Sequence, residues 1–157
     1  MGFILAAVIF VVDQATKLFV LHRVDLSEGP VALLPFVDIT LVWNRGISYG
    51  LFQQEGLGRW LLVAVTAVAS IALAVWLWRA KKMMVAIAVA LILGGAVGNL
   101  VDRVVYGAVV DFVSMHYGQF SWYVFNVADA AIVIGVIVLV ADAVFARPQA
   151  RASSTSS

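Results

Sequence analysis

Asp111 and Asp129 are the residues of this chain best suited to chemistry. Asp111 stands in Val109-Val110-Asp111-Phe112, an apolar setting for a carboxylate, and Asp129 follows Asn126 by three residues, so that both would project from one face of a helix. Two carboxylates held a few ångströms apart cannot both ionise: one pKa rises and the pair shares a proton. The ionised member can then activate water while the protonated member polarises a carbonyl, which is hydrolysis with no metal or cofactor. Spacing alone does not bring these two acids together. The plainer reading of Asp111 is an exposed loop acid; its apolar flanks point instead to a loop that dips back onto the rest of the molecule.

The elements that would position them are set by composition. The chain has 157 residues, of which 64% are hydrophobic and 12% charged, and its mean hydropathy is +1.04. A soluble domain is about a quarter charged, so this chain cannot face water on all sides. About 20 apolar residues cross a bilayer as a helix, and four stretches qualify: 2–21, 60–78, 83–101 and 123–145. The first lacks a basic leader and a small-residue cleavage site and reads as a retained anchor. The outer connections, 22–59 and 104–122, are long. Within the first, Val37 to Trp43 nearly alternates and reads as a strand, and Asn44-Arg45-Gly46 reads as a turn. The expected fold is an all-α integral membrane protein with four transmembrane helices and a small extracytoplasmic β-sheet between spans one and two. Residues 1–146 form one membrane-embedded domain, and 147–157, rich in Ser and Ala, form a disordered cytoplasmic tail.

Loop charge orients the bundle. Arg79, Lys81 and Lys82 crowd one short turn, which belongs on the cytoplasmic side, and an even number of spans puts both termini there. Trp60, Trp78, Trp122 and Tyr123 then fall at span ends, where aromatic belts lie. With that topology Lys17, Asn99, Asp102, Arg103, Asn126 and Asp129 all lie toward the outer leaflet, with Asp13 somewhat deeper, although only loop charges were used to set it.

A charge within a span costs about 2.5–3.5 kcal/mol on insertion scales. Asp13 and Lys17, at i,i+4, share a helix face and can pair; a salt bridge that merely tolerates its burial and a functional role stand level. Asn99 with Asp102, and Asn99 with Arg103, also share a face. Gly94-Gly95-Ala96-Val97-Gly98 lacks the ending of a phosphate loop, and its Gly94/Gly98 pair suits close helix packing. Asp142 reads as an interfacial residue. No cysteine is present, and His22 and His116 are far apart, so a metal centre is not expected. No basic stripe suggests nucleic acid. A proton-coupled transporter would also carry intramembrane charges, but here they gather on one side and no duplicated halves are visible. A scaffold protein would leave the collected acids without a purpose.

Five segments in order resemble the lipoprotein signal peptidases, or signal peptidase II: Asp13-Gln14-Ala15-Thr16-Lys17, Asn44 to Gly50, Gly94 to Arg103, Val110-Asp111-Phe112 and Phe125 to Asp129. Ile47, Ser48 and Tyr49 stand where Ala, Ala and Phe are frequent in that family. The resemblance implies an intramembrane aspartic peptidase of the bacterial inner membrane, monomeric and without a cofactor. Its substrate would be a diacylglyceryl-modified prolipoprotein, met within membrane lipid and cut before the modified cysteine. Asp111 and Asp129 would be the catalytic dyad. Asp13, Lys17, Asn44, Gly46, Asn99, Asp102, Arg103 and Asn126 would order the site and hold the substrate.

Overall fold

The computed structural model describes residues 1–46, 57–118, 120–121 and 123–145. Four long apolar helices carry the chain: α1 (Gly2–Arg23), α2 (Leu57–Arg79), α3 (Met83–Val105) and α4 (Val127–Phe145). Each is long and apolar enough to cross a membrane. Leu61, Val65, Val68 and Ile71 on α2, and Val133, Ile134 and Ile137 on α4, are exposed, as side chains that meet lipid must be. Trp60 and Trp78, near the ends of α2, and Tyr123, four residues before α4, are also exposed; Trp122, Ile47, Ser48, Tyr49, Gly50 and the 147–157 tail lie outside the described residues.

α3 is the pivot of the bundle. It buries nine residues, among them Gly94, Gly95, Gly98, Asn99 and Asp102, whereas α2 buries only Ser70 and Leu77. The glycines explain how two helices can lie against it. A Cβ on Gly94 would stand 2.6 Å from the Ala6 carbonyl oxygen of α1, and one on Gly95 would strike the Ala128 carbonyl of α4. On α4, a Cβ on Gly135 would stand 2.7 Å from the Ala88 carbonyl oxygen. Without interhelical hydrophobic driving force in lipid, such close backbone approach supplies the packing. The stripe expected from sequence to be a packing surface is one.

The sheet has four antiparallel strands in the order β1-β2-β3-β4. β1 (Val31–Leu34) and β2 (Val37–Asn44) come from the connection between α1 and α2, as expected. The second connection does more than dip back: it supplies β3 (Val109–Tyr117) and β4 (Phe120–Ser121). Its β-branched run, Val109-Val110 with Val113, suits a strand. Gly107, at φ 76°, ends the helix that precedes it. The register of β2 against β3 slips between Ile39 and Val42, so that two residues of β2 oppose one of β3, the mark of a bulge.

The fourth helix starts at Val127 rather than at residue 123. Phe125 instead forms a bridge to Val113 of β3, its N–H donating to the Val113 carbonyl at 3.0 Å and its carbonyl accepting from Val113 N–H at 2.8 Å. Asp129 therefore lies in the first turn of α4.

Enlarging Gly95 should separate α3 from α4. Gly95→Ala is expected to lower unfolding free energy in detergent by about 1–3 kcal/mol, while Val133→Ala, at an exposed position of α4, should lose less. Equal losses in the two variants would show that the packing is not limiting.

Candidate active site

The polar residues singled out in the sequence come together where the C-terminal ends of α1 and α3 and the N-terminal end of α4 meet the root of the sheet. Lys17 is 2% exposed. Its ammonium lies 2.8 Å from Asp13 Oδ2 and 2.8 Å from Asp102 Oδ2, and it donates to Asn99 Oδ1 at 3.0 Å. A buried charge is tolerated only when paired and fully hydrogen-bonded, and three acceptors match its three protons. The i,i+4 pairing of Asp13 and Lys17 is thus part of a wider cluster.

Each partner of Lys17 reaches a further element. Asp13 Oδ1 accepts from the Ala128 N–H at 2.9 Å, so a carboxylate from α1 satisfies an open N–H at the N-terminus of α4. Asp102 Oδ2 accepts from Val110 N–H at 3.1 Å and fixes the root of β3. Asn99 Nδ2 donates to Asp129 Oδ1 at 2.8 Å. Gly98 is what lets α1 present Asp13 here, because a Cβ at that position would run into the Asp13 carboxylate.

Asn126 joins the two acids of interest. Its Nδ2 donates to Asp111 Oδ1 at 2.7 Å, and its Oδ1 accepts from the Asp129 N–H at 2.9 Å. Asp129 Oδ2 accepts in return from Asn126 N–H at 3.4 Å. This reciprocal pair has the form of a capping box, so the helix cap and the placement of Asp129 are one arrangement. Asn126 Nδ2 also lies 3.2 Å from both Asn99 Oδ1 and the Val110 carbonyl.

Asp111 is 1% exposed, and its second oxygen accepts from Asn44 Nδ2 at 3.0 Å. The bulge in β2 makes that contact possible. Past it, Val42 opposes Asp111 and Asn44 opposes Val109, which puts Asn44 and Asp111 on one face as diagonal neighbours. An unbulged register would turn Asn44 to the other face. Gly46, at φ 142°, donates its N–H to Asn44 Oδ1 at 3.2 Å and holds the amide in place. Burial pushes the Asp111 carboxyl up from its ordinary 3.8 to about 6; the Asn44 hydrogen bond opposes the rise, and charge on Asp129 adds to it.

Arg103 is half-buried. It donates from Nη1 to the Asn99 carbonyl at 3.2 Å, while its Nε is buried and has no hydrogen-bond partner among the described residues. All ten residues expected at the site thus gather in this region. Two more were not singled out. Gln14 Nε2 donates to Asp102 Oδ1 at 3.0 Å and to the Gly98 carbonyl at 3.3 Å. Arg59 donates to the carbonyls of Arg103 at 2.9 Å and Val104 at 2.6 Å, neutralising the open C-terminus of α3. An amide inside a span and a cation in the first turn of α2 are the signals that mark them. Asp142 lies elsewhere, 3.4 Å from Lys82, as an interfacial residue would.

Four spanning helices with a polar centre at one end, roofed by a sheet, define a membrane-embedded enzyme. The structure is similar to two structures of bacterial membrane enzymes obtained by the in meso method. One has a TM-score of 0.78 and 25% identity, covering 96% of this chain and 94% of the other. The second has a TM-score of 0.80 and 25% identity, covering 93% and 94%. Residues 5–145 match the family model for signal peptidase (SPase) II, and the chain belongs to that family of peptidases. It is 56% identical over 156 residues to the lipoprotein signal peptidase of Methylorubrum extorquens (strain PA1), covering 98% of this chain and 90% of the relative. It is 53% identical to that of Methylobacterium sp. (strain 4-46), covering 98% and 94%.

The raised Asp111 pKa fixes the sign of a pH effect. The folded carboxyl keeps its proton up to about 6 and the unfolded one only to about 3.8. Between those values the native state binds more protons, so stability falls as pH rises through the window. Asp111→Asn does not titrate. Its melting temperature relative to the parent should therefore rise by several degrees between pH 4 and pH 7; a difference independent of pH would contradict the burial of an ionisable group here.

Proposed function

We propose that the chain removes signal peptides from diacylglyceryl-modified prolipoproteins, cleaving before the lipid-modified cysteine, with Asp111 and Asp129 as the catalytic dyad. The observation that carries this reading is that one side chain, Asn126, holds both acids: it donates to Asp111 and accepts from the Asp129 backbone. Asp111 is enclosed and Asp129 is partly open, so the pair combines a desolvated acid with one that water can reach. It shares one proton, and its macroscopic pKa values belong to the pair.

In the proposed reaction the ionised carboxylate takes a proton from water, and the resulting hydroxide attacks the scissile carbonyl. The protonated carboxyl polarises that carbonyl and delivers its proton as the bond breaks. Water is added across the peptide bond, the new carboxyl on the signal peptide and the new amine on the lipidated cysteine. Lys17, Asp13, Asp102, Asn99 and Gln14 act as positioning residues, since they touch the dyad or its neighbours. Asn44, Gly46 and Arg103, at the edge of the cluster, are placed to hold an extended peptide.

The substrate would enter sideways from the bilayer with its acyl chains remaining in lipid. The lysine-rich turn at 81–82 argues for the bacterial inner membrane orientation in which both termini are cytoplasmic and the dyad is on the periplasmic side.

Cleavage of a diacylglyceryl-modified peptide in detergent tests this reading. Asp111→Asn and Asp129→Asn should each lower the rate by at least about 10²-fold with helix content unchanged, and Asp142→Asn should cleave at the parental rate. Normal turnover by either dyad variant would remove the assignment, and a large loss in Asp142→Asn would mean the site lies at the other end of the bundle.

A further inference from the structure

The end of the bundle away from the acid cluster carries a recess. A groove of about 390 Å³ opens between the first turns of α1 and α3. Leu5, Met83, Ala86 and Ile87 line it, together with Lys81 and Lys82 from the turn that joins α2 to α3. Its volume falls within the range of small-molecule sites. The apolar lining belongs to spanning helices, and both lysines are exposed. Lys82 has a carboxylate neighbour, Asp142, at 3.4 Å, yet its side chain is 61% exposed. Arg79 stands two residues before Lys81, so the cations at this end outnumber the acid.

This arrangement sorts a ligand by its two halves. At hydrocarbon depth an apolar groove takes an alkyl chain, and lysines at headgroup level attract negative charge. Met83 opens α3 without a side-chain cap, so nearby backbone N–H groups add to the same preference. Zwitterionic lipid would satisfy the groove but gain less from the lysines.

We propose that this groove is a binding site for one anionic phospholipid, its acyl chain against Leu5, Ala86 and Ile87 and its phosphodiester at Lys81 and Lys82. The site is separate from the acid cluster, and the inference does not depend on the peptidase reading.

The test is native mass spectrometry of the full chain taken from vesicles of equal phosphatidylglycerol and phosphatidylcholine with the same acyl chains. The parent should retain the anionic lipid over the zwitterionic one by about tenfold. Lys81→Gln combined with Lys82→Gln should bring the two to equal retention. Ala86→Phe, which keeps the lysines and fills the groove, should lower retention of both lipids, and it decides the matter if the double variant fails to insert. Soluble glycerophosphate, which has no acyl chain, should not displace the retained lipid. An unselective parent, an unchanged preference in the lysine variant, or undiminished retention in Ala86→Phe would overturn the site. Displacement by glycerophosphate would show an anion site in place of a lipid site and would overturn it equally.

Discussion

The buried ammonium of Lys17 is the interaction on which the rest of the structure depends. A charge taken this far from water is stable only if every proton finds an acceptor, and the three acceptors are Asp13, Asp102 and Asn99. Each of them also bonds to a group beyond the ammonium. Asp13 turns to the first turn of α4, Asp102 to the root of β3, and Asn99 to Asp129. Satisfying one cation therefore fixes α1, α3, α4 and the sheet relative to one another. In a medium with no water to replace a lost partner, such a network either closes completely or fails.

The sheet adds what helices alone cannot. Asp111 has to approach the start of α4 from outside the bundle, and β3 brings it there with its root buried among Val109, Val110 and Phe112. The backbone of Phe125 pairs with β3 before α4 begins, so the cap of α4 and the acid on β3 are locked into one register. Trp43 packs edge-on against Tyr106, with ring centroids 5.7 Å apart, and seats the end of β2 over the end of α3. The bulge then turns Asn44 toward Asp111. Glycine serves the opposite purpose inside the bundle: Gly94, Gly95 and Gly98 remove side chains where helices must nearly touch.

Much of this was legible in the sequence because lipid imposes simple rules. Four apolar runs gave four helices, and intramembrane charges marked the site, since hydrocarbon penalises any polar group without a purpose. Lys17, Asn99 and Asn126 stand out as polar groups on that ground, and the family resemblance assigns them to the site. The limits are equally physical. β3 was not foreseen because Val109 to Tyr117 is buried at one end and exposed at the other, which masks the alternation of a strand. The start of α4 was misplaced because Tyr123 to Phe125 is as apolar as the helix that follows, and only a pairing across the fold holds it extended. Gln14 was passed over because its partners, Asp102 and the Gly98 carbonyl, are remote along the chain. Arg59 caps a helix other than its own.

The central claim is that Asp111 and Asp129 act as one proton-sharing pair. The pH dependence of kcat/KM for cleavage of a lipid-modified peptide tests it most directly. A pair that needs one ionised and one protonated member gives a rate that rises and then falls with pH. The falling limb should lie above the ordinary carboxylate range, since burial has carried Asp111 to about 6. A rate that climbs through a single ionisation and stays level to alkaline pH would contradict a shared proton, and with it the account of the site.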